Sequence, residues 1–300
     1  MANSLELRGI LPALITPFTQ DGSAIDDAAL RDHVDHLVRA GSGGVVVAGS
    51  TGEFTSLSTD EREALLVSVL DAVGGRAPVV AHTGAMTTAE AIRLTVHAAA
   101  AGAASAMVVL PYYEPLTFAE AERYLGDIAA AVDIPLMYYN LPSATGVMLS
   151  VDEVGSLARR GIIASVKDTG GDAAWLDQLL GRYGDDLQVL NGGDTLTFAA
   201  LAAGAPAAVW GAANIFPEVA VELFETVATH HDLVRGRQLW ERLRGLMSFL
   251  ERRSYTSRVK TACDLMGTRV GPLRLPLLPP EHDERQELAA LLRAAGLLEG

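Results

Sequence analysis

The chain has 300 residues, a formal net charge of −14, 49% hydrophobic and 20% charged residues, and one cysteine, Cys263. That composition suits a soluble globular protein with a large core, either one α/β barrel or a two-domain enzyme, and the negative field disfavours nucleic acid or an anionic membrane as partner. A single cysteine excludes an intrachain disulfide, and no apolar run approaches the ~18 residues of a membrane span. The N-terminal MANSLELRGILPALITPF is interrupted by Pro12 and Pro17 and has no basic region ahead of a long apolar run. No signal peptide is expected, and the expected location is cytoplasmic.

Strand and helix signals alternate along the chain. The apolar run Ile10–Thr16 is followed by an amphipathic segment over Asp26–Ala40, and Gly44–Ala48 by Thr59–Val73. Pro78–Ala81 precedes Thr88–Ala101, and Ala106–Leu110 precedes Phe118–Val132. Pro135–Asn140 leads to Val151–Ala158, Ile162–Lys167 to Ala173–Tyr183, Leu187–Leu190 to Thr195–Ala203, and Ala207–Trp210 to Pro217–His230. The runs are continuously apolar, as parallel strands buried on both faces read. Eight such units predict a (β/α)8 TIM barrel over residues 1–230. Helical patterns at Leu233–Ser254, Ser257–Met266 and Asp283–Ala295, with a Pro-rich stretch at Gly271–Pro280, predict a C-terminal helical extension over 231–300. A doubly wound sheet is the alternative, but no G-x-G-x-x-G follows the first strand.

In a barrel of this kind the chemistry lies at the C-terminal strand ends. Those ends supply Ser50 and Thr51, His82, Tyr112 and Tyr113, Tyr138, Tyr139 and Asn140, Lys167, Asn191 and Gly192, and Trp210. A lysine at a desolvated barrel mouth loses charge readily, and its neutral amine attacks carbonyls. Tyrosines beside it can transfer protons. The turn Gly49-Ser50-Thr51-Gly52 offers backbone N–H groups and two hydroxyls to a carboxylate, while Ser58 and Glu61 read as a capping box for the next helix. Lysine, phenol and carboxylate cradle together describe Schiff-base chemistry on a 2-keto acid. A serine-hydrolase reading of Ser50 with His82 lacks the G-x-S-x-G elbow. A metal reading of His33-x-x-His36 lacks a third ligand, and the pair reads as a solvated helix face. Cys263 reads as packed in a helix, and Trp210 as packing or a pocket wall.

At these residues the sequence resembles the dihydrodipicolinate synthase / N-acetylneuraminate lyase family of class I pyruvate-dependent aldolases. The likeness runs in order through Thr16-Pro-Phe with Asp21-Gly, Gly49-Ser-Thr-Gly-Glu53, Leu57-Ser-x-x-Glu61-Arg62, Pro111-Tyr-Tyr113, Tyr139-Asn-x-Pro-Ser-x-Thr-Gly146 and Lys167-Asp-Thr169. The resemblance implies an imine at Lys167, proton relay through Tyr139, Ser50 and Tyr113, and a pyruvyl carboxylate held by Thr51. It also places Gly192 and Val209 along the pyruvyl pocket and Asp168 and Thr169 against substrate hydroxyls. It implies no cofactor and no metal, and a homotetramer, a dimer of dimers, in which the tyrosine matching Tyr113 comes from a neighbouring subunit. Synthases of the family carry an arginine after Pro-Ser for the second substrate's carboxylate, where this chain has Ala144; a methyl cannot replace a bidentate guanidinium. The expected activity is therefore a 2-keto-3-deoxy sugar-acid aldolase or dehydratase. The alternatives are the synthase that condenses pyruvate with aspartate semialdehyde and a non-catalytic keto-acid-binding barrel.

Overall fold

The computed structural model describes residues 5–299. Its elements follow the predicted alternation: β1 (Gly9–Pro12), α1 (Asp27–Arg39), β2 (Val45–Val47), α2 (Thr59–Val73), β3 (Val79–His82), α3 (Thr88–Ala101), β4 (Ser105–Val109) and α4 (Phe118–Ala129). Then come β5 (Leu136–Asn140), α5 (Pro142–Thr145), α6 (Val151–Arg159), β6 (Ser165–Asp168), α7 (Ala173–Tyr183), β7 (Gln188–Asn191), α8 (Thr197–Ala202) and β8 (Ala207–Trp210). After the last strand run α9 (Pro217–Phe224), α10 (Leu233–Glu251), α11 (Tyr255–Leu265) and α12 (His282–Ala294). All strand pairs are parallel, in the order β1-β8-β7-β6-β5-β4-β3-β2. β1 pairs with β8 through Pro12 and Trp210, and a parallel bridge from Ala13 to Val46 brings the first strand against the second. The result is a (β/α)8 barrel with C-terminal helices.

Local chemistry explains where the helices begin. Ser58, Thr117 and Ser150 open α2, α4 and α6, each in a reciprocal capping box with Glu61, Glu120 or Glu153. The short α5, absent from the sequence expectation, starts on Pro142, whose fixed φ suits a first helical turn.

Strand alternation sorts the apolar runs into two faces. Leu11, Val46, Val80, Met137, Leu190 and Val209 fill the barrel interior. Their neighbours, such as Tyr138, Val166 and Trp210, pack outward beneath the helices. The C-terminal helices share one core with β1 and β8, in which Trp210 meets Phe216 and Trp240.

A buried ion pair ties this extension to the loop after β2. The Lys260 ammonium on α11 donates to Glu53 (2.7 Å) and to the carbonyls of Thr16 (2.9 Å) and Pro272 (2.8 Å). Glu53 also accepts the Arg274 N–H, while the Arg274 guanidinium grips both oxygens of Glu61. Removing one partner of such a pair strands the other charge away from water. Lys260→Met is therefore expected to lower unfolding free energy by about 3–5 kcal/mol. Adding Glu53→Gln to it should recover a large part of the loss, as urea unfolding of the single and double variants would measure. Equal loss in both would mean that Glu53 is not held by Lys260.

Candidate active site

Strand register sets the centre of the site. Tyr139 on β5 pairs with Lys167 on β6, and Lys167 with Leu190 on β7. Both Tyr139 and Lys167 face the interior at the C-terminal end of the barrel, and the Lys167 Nζ lies 4.0 Å from the Tyr139 ring centroid. Gly192 makes room for the lysine shaft: a β-carbon there would come 2.7 Å from Lys167 Cε and 2.7 Å from Thr169 Cγ2. Burial would raise the Tyr139 phenol. The Lys167 charge and hydrogen bonding with Ser50, Lys167 and Thr169 outweigh it and bring the phenol below its ordinary 10.0. Its neighbour Tyr138 faces outward, and burial drives that phenol up.

The loop after β2 is built on strained backbone. Ala48 has φ +55°, a left-handed conformation costing a residue with a β-carbon roughly 1–2 kcal/mol. Its carbonyl accepts the Nδ1–H of buried His82 (2.9 Å), and that bond fixes the tautomer. Burial first, then the Arg62 charge, holds His82 well below 6.5, so it is neutral. The His82 ring lies edge-on to Phe54 (4.5 Å) and Tyr139 (6.4 Å), bracing the turn and the phenol together. Beyond Ala48 the Gly52 and Glu53 N–H groups close the turn onto Gly49 and Ser50. Among the described residues, the Ser50 and Thr51 N–H groups have no protein acceptor. Both residues line the cavity, beside Lys167 and Tyr139.

That cavity, about 540 Å³, also touches Thr169, Gly192 and Val209. Its far wall comes from segments the sequence reading did not single out: Asp194 and Thr195 after β7, and Glu251, Tyr255 and Thr256 from the helical extension. The Tyr255 hydroxyl donates to both Asp194 oxygens (2.8 and 2.7 Å). Gly211 admits that phenol, because a β-carbon there would sit 2.4 Å from its oxygen. Thr195 donates to Glu251 (2.5 Å), and Thr256 to the Ser50 carbonyl (3.2 Å). Asp194 and Thr195 could have been found from their place two and three residues past Gly192. Glu251, Tyr255 and Thr256 had no local signal.

Burial raises the Asp194 carboxyl from 3.8 to about 7, with the Tyr255 hydrogen bond opposing. The native state thus holds this proton more tightly than the unfolded chain. The stability it contributes is complete below pH 3.8 and is lost as pH rises to 7, a fall of about 4 kcal/mol for a carboxylate raised this far. Asp194→Asn cannot titrate. The melting temperature of wild type should therefore decline relative to the variant between pH 4 and 7, and a constant difference would contradict the raised carboxyl.

Two expected site residues stand elsewhere in this chain. Asp168, next to inward Lys167, turns away from the cavity; it accepts Asn140 Nδ2 (2.7 Å) and the Gly170 N–H (2.9 Å) and so shapes the loop after β6. Tyr113 is 90% exposed and lines a separate groove with Met86, Thr87 and Leu116. Trp210 is outward core rather than cavity wall. His33, expected on a solvated face, is buried and bonded to Asn214 (2.9 Å), whereas His36 approaches Glu218 in solvent. Cys263 is buried in α11. Among the described residues no group of three His, Cys, Asp or Glu is placed to hold a metal ion, and no helix is long and apolar enough to cross a membrane.

Comparisons with known proteins agree with this fold. A sequence profile of the Dihydrodipicolinate synthetase family matches residues 6–295. The chain is 37% identical over 294 residues to an uncharacterized DapA-like lyase of Halobacterium salinarum, covering 98% of this chain and 96% of that protein. It is 36% identical over 294 residues to the 4-hydroxy-tetrahydrodipicolinate synthase of Methanopyrus kandleri, covering 98% of each. The dihydrodipicolinate synthase of Acinetobacter baumannii, solved with pyruvate, superposes with a TM-score of 0.94 at 32% identity, over 98% of this chain and 100% of that one. The chain belongs to the dihydrodipicolinate synthetase family and is, like its members, a class I lyase.

Proposed function

We propose that this lyase forms an imine between Lys167 and the pyruvyl end of a 2-keto-3-deoxy sugar acid, which it cleaves as an aldolase or dehydrates. The observation that carries the imine is the buried Lys167 amine over the Tyr139 ring, beside a turn with free N–H groups. Thr51 and those N–H groups hold the carboxylate. The amine adds to the C2 ketone, Tyr139 protonates the carbinolamine oxygen, and water leaves. In cleavage the C3–C4 bond breaks toward the imine, giving an enamine, while Tyr139 takes the C4 hydroxyl proton and an aldehyde departs. Protonation at C3 and hydrolysis release pyruvate. Ser50 relays protons to Tyr139, and Gly192, Val209 and Thr169 shape the pocket. Asp168 acts through the loop it holds, and Tyr113 completes the relay from a neighbouring subunit of a dimer of dimers.

The substrate assignment rests on Ala144, which lines the cavity where a synthase would place arginine. A second reading, condensation of pyruvate with aspartate semialdehyde, is favoured by relatives named 4-hydroxy-tetrahydrodipicolinate synthase. The chain suits a direct test, because its two lysines are Lys167 and Lys260, and Lys260 is tied to Glu53. Intact mass and peptide mapping after pyruvate and borohydride should place one reduced pyruvyl adduct on Lys167. An aldehyde screen then separates the two readings. No adduct with pyruvate or longer keto acids would overturn the proposal in favour of a barrel that only binds keto acids.

A further inference from the structure

We infer that Glu251 sets the substrate class of this cavity, selecting partners whose far end is an uncharged chain of hydroxyls over partners that end in a carboxylate. This inference rests on the lysine-imine reading and goes beyond it to the second substrate.

The far wall presents acceptors. Thr195 donates to Glu251, Tyr255 to Asp194, Thr256 to the Ser50 carbonyl and Thr169 to the Asn140 carbonyl (2.6 Å). With each of these protons engaged within the protein, the oxygens turn lone pairs toward the cavity. A hydroxyl donates to such a surface. A carboxylate has only lone pairs to offer to these engaged oxygens.

Charge acts in the same direction. Lys167 is the one cation lining the cavity among the described residues, and the imine occupies its nitrogen. Glu251 ends α10 at the cavity mouth and forms no salt bridge among the described residues, while Arg252 and Arg253, next in the chain, reach away to Glu287 and Glu284 on α12. The Glu251 carboxylate therefore stands uncompensated beside the path of the second substrate. A like charge a few ångströms away in a partly solvated site changes affinity roughly tenfold, less as salt is added.

The test compares pyruvate condensation with two aldehydes, glyceraldehyde and succinic semialdehyde, in wild type, Glu251→Gln and Glu251→Lys. Wild type should favour glyceraldehyde in kcat/KM. In Glu251→Gln the ratio should move toward the semialdehyde by about tenfold, further in Glu251→Lys, and the shift should shrink with added salt. A ratio unmoved by either substitution, or a wild type that prefers the semialdehyde, overturns the inference while leaving the imine intact. Borohydride trapping of wild type with pyruvate is run alongside. Failure there overturns the lysine-imine reading and this inference with it.

Discussion

Lys167→Ala is expected to abolish the trapped pyruvyl adduct and to lower turnover by roughly 10⁴-fold or more, the scale on which removing a covalent nucleophile acts. No other side-chain amine can take its place: the second lysine, Lys260, is buried and bonded to Glu53, Thr16 and Pro272. Stability should change less than activity, because the buried side chain ends at the cavity, and no salt bridge among the described residues is lost with it. Equal melting temperatures with no adduct would place the nucleophile at Lys167. An adduct retained in the variant would remove Lys167 from the mechanism.

Tyr139→Phe should lower kcat by about 10²–10⁴-fold, the range for losing a positioned proton donor. The phenyl ring keeps its packing against His82 and its contact with the Lys167 nitrogen, so binding and fold persist while proton transfer is lost. The pH dependence makes the test specific. With the phenol below its ordinary 10.0, wild type loses this acid as pH rises toward that value, and the rate of adduct formation falls on the alkaline side. The phenylalanine variant should start slow and lack that alkaline limb. An unchanged limb would assign it to another group.

Much of the site was legible at strand ends. Lys167 could be singled out because a lysine closing an apolar run at a barrel mouth supplies a desolvated amine, Tyr139 through the ordered motifs of the family resemblance, and Ser50 and Thr51 because two hydroxyls between glycines exceed what a turn requires. Facing was not legible. A strand buried on both sides reads as continuously apolar, so Tyr138 and Tyr139, or Lys167 and Asp168, are equivalent as text. Interior-facing register separates them, placing Asp168 in a loop network and Tyr138 beneath the helices.

Chain chemistry alone set the alternation of eight strands and their helices, the capping boxes, and the ordered motifs that mark the family, because these depend on residues within a turn or a strand of one another. Folding decided the far wall of the cavity. Asp194 meets Tyr255 across 61 positions, Thr195 meets Glu251 across 56, and Glu53 meets Lys260 across 207. No local pattern encodes such distances. Closing the barrel and docking the C-terminal helices against β1 and β8 brings those groups together around the cavity.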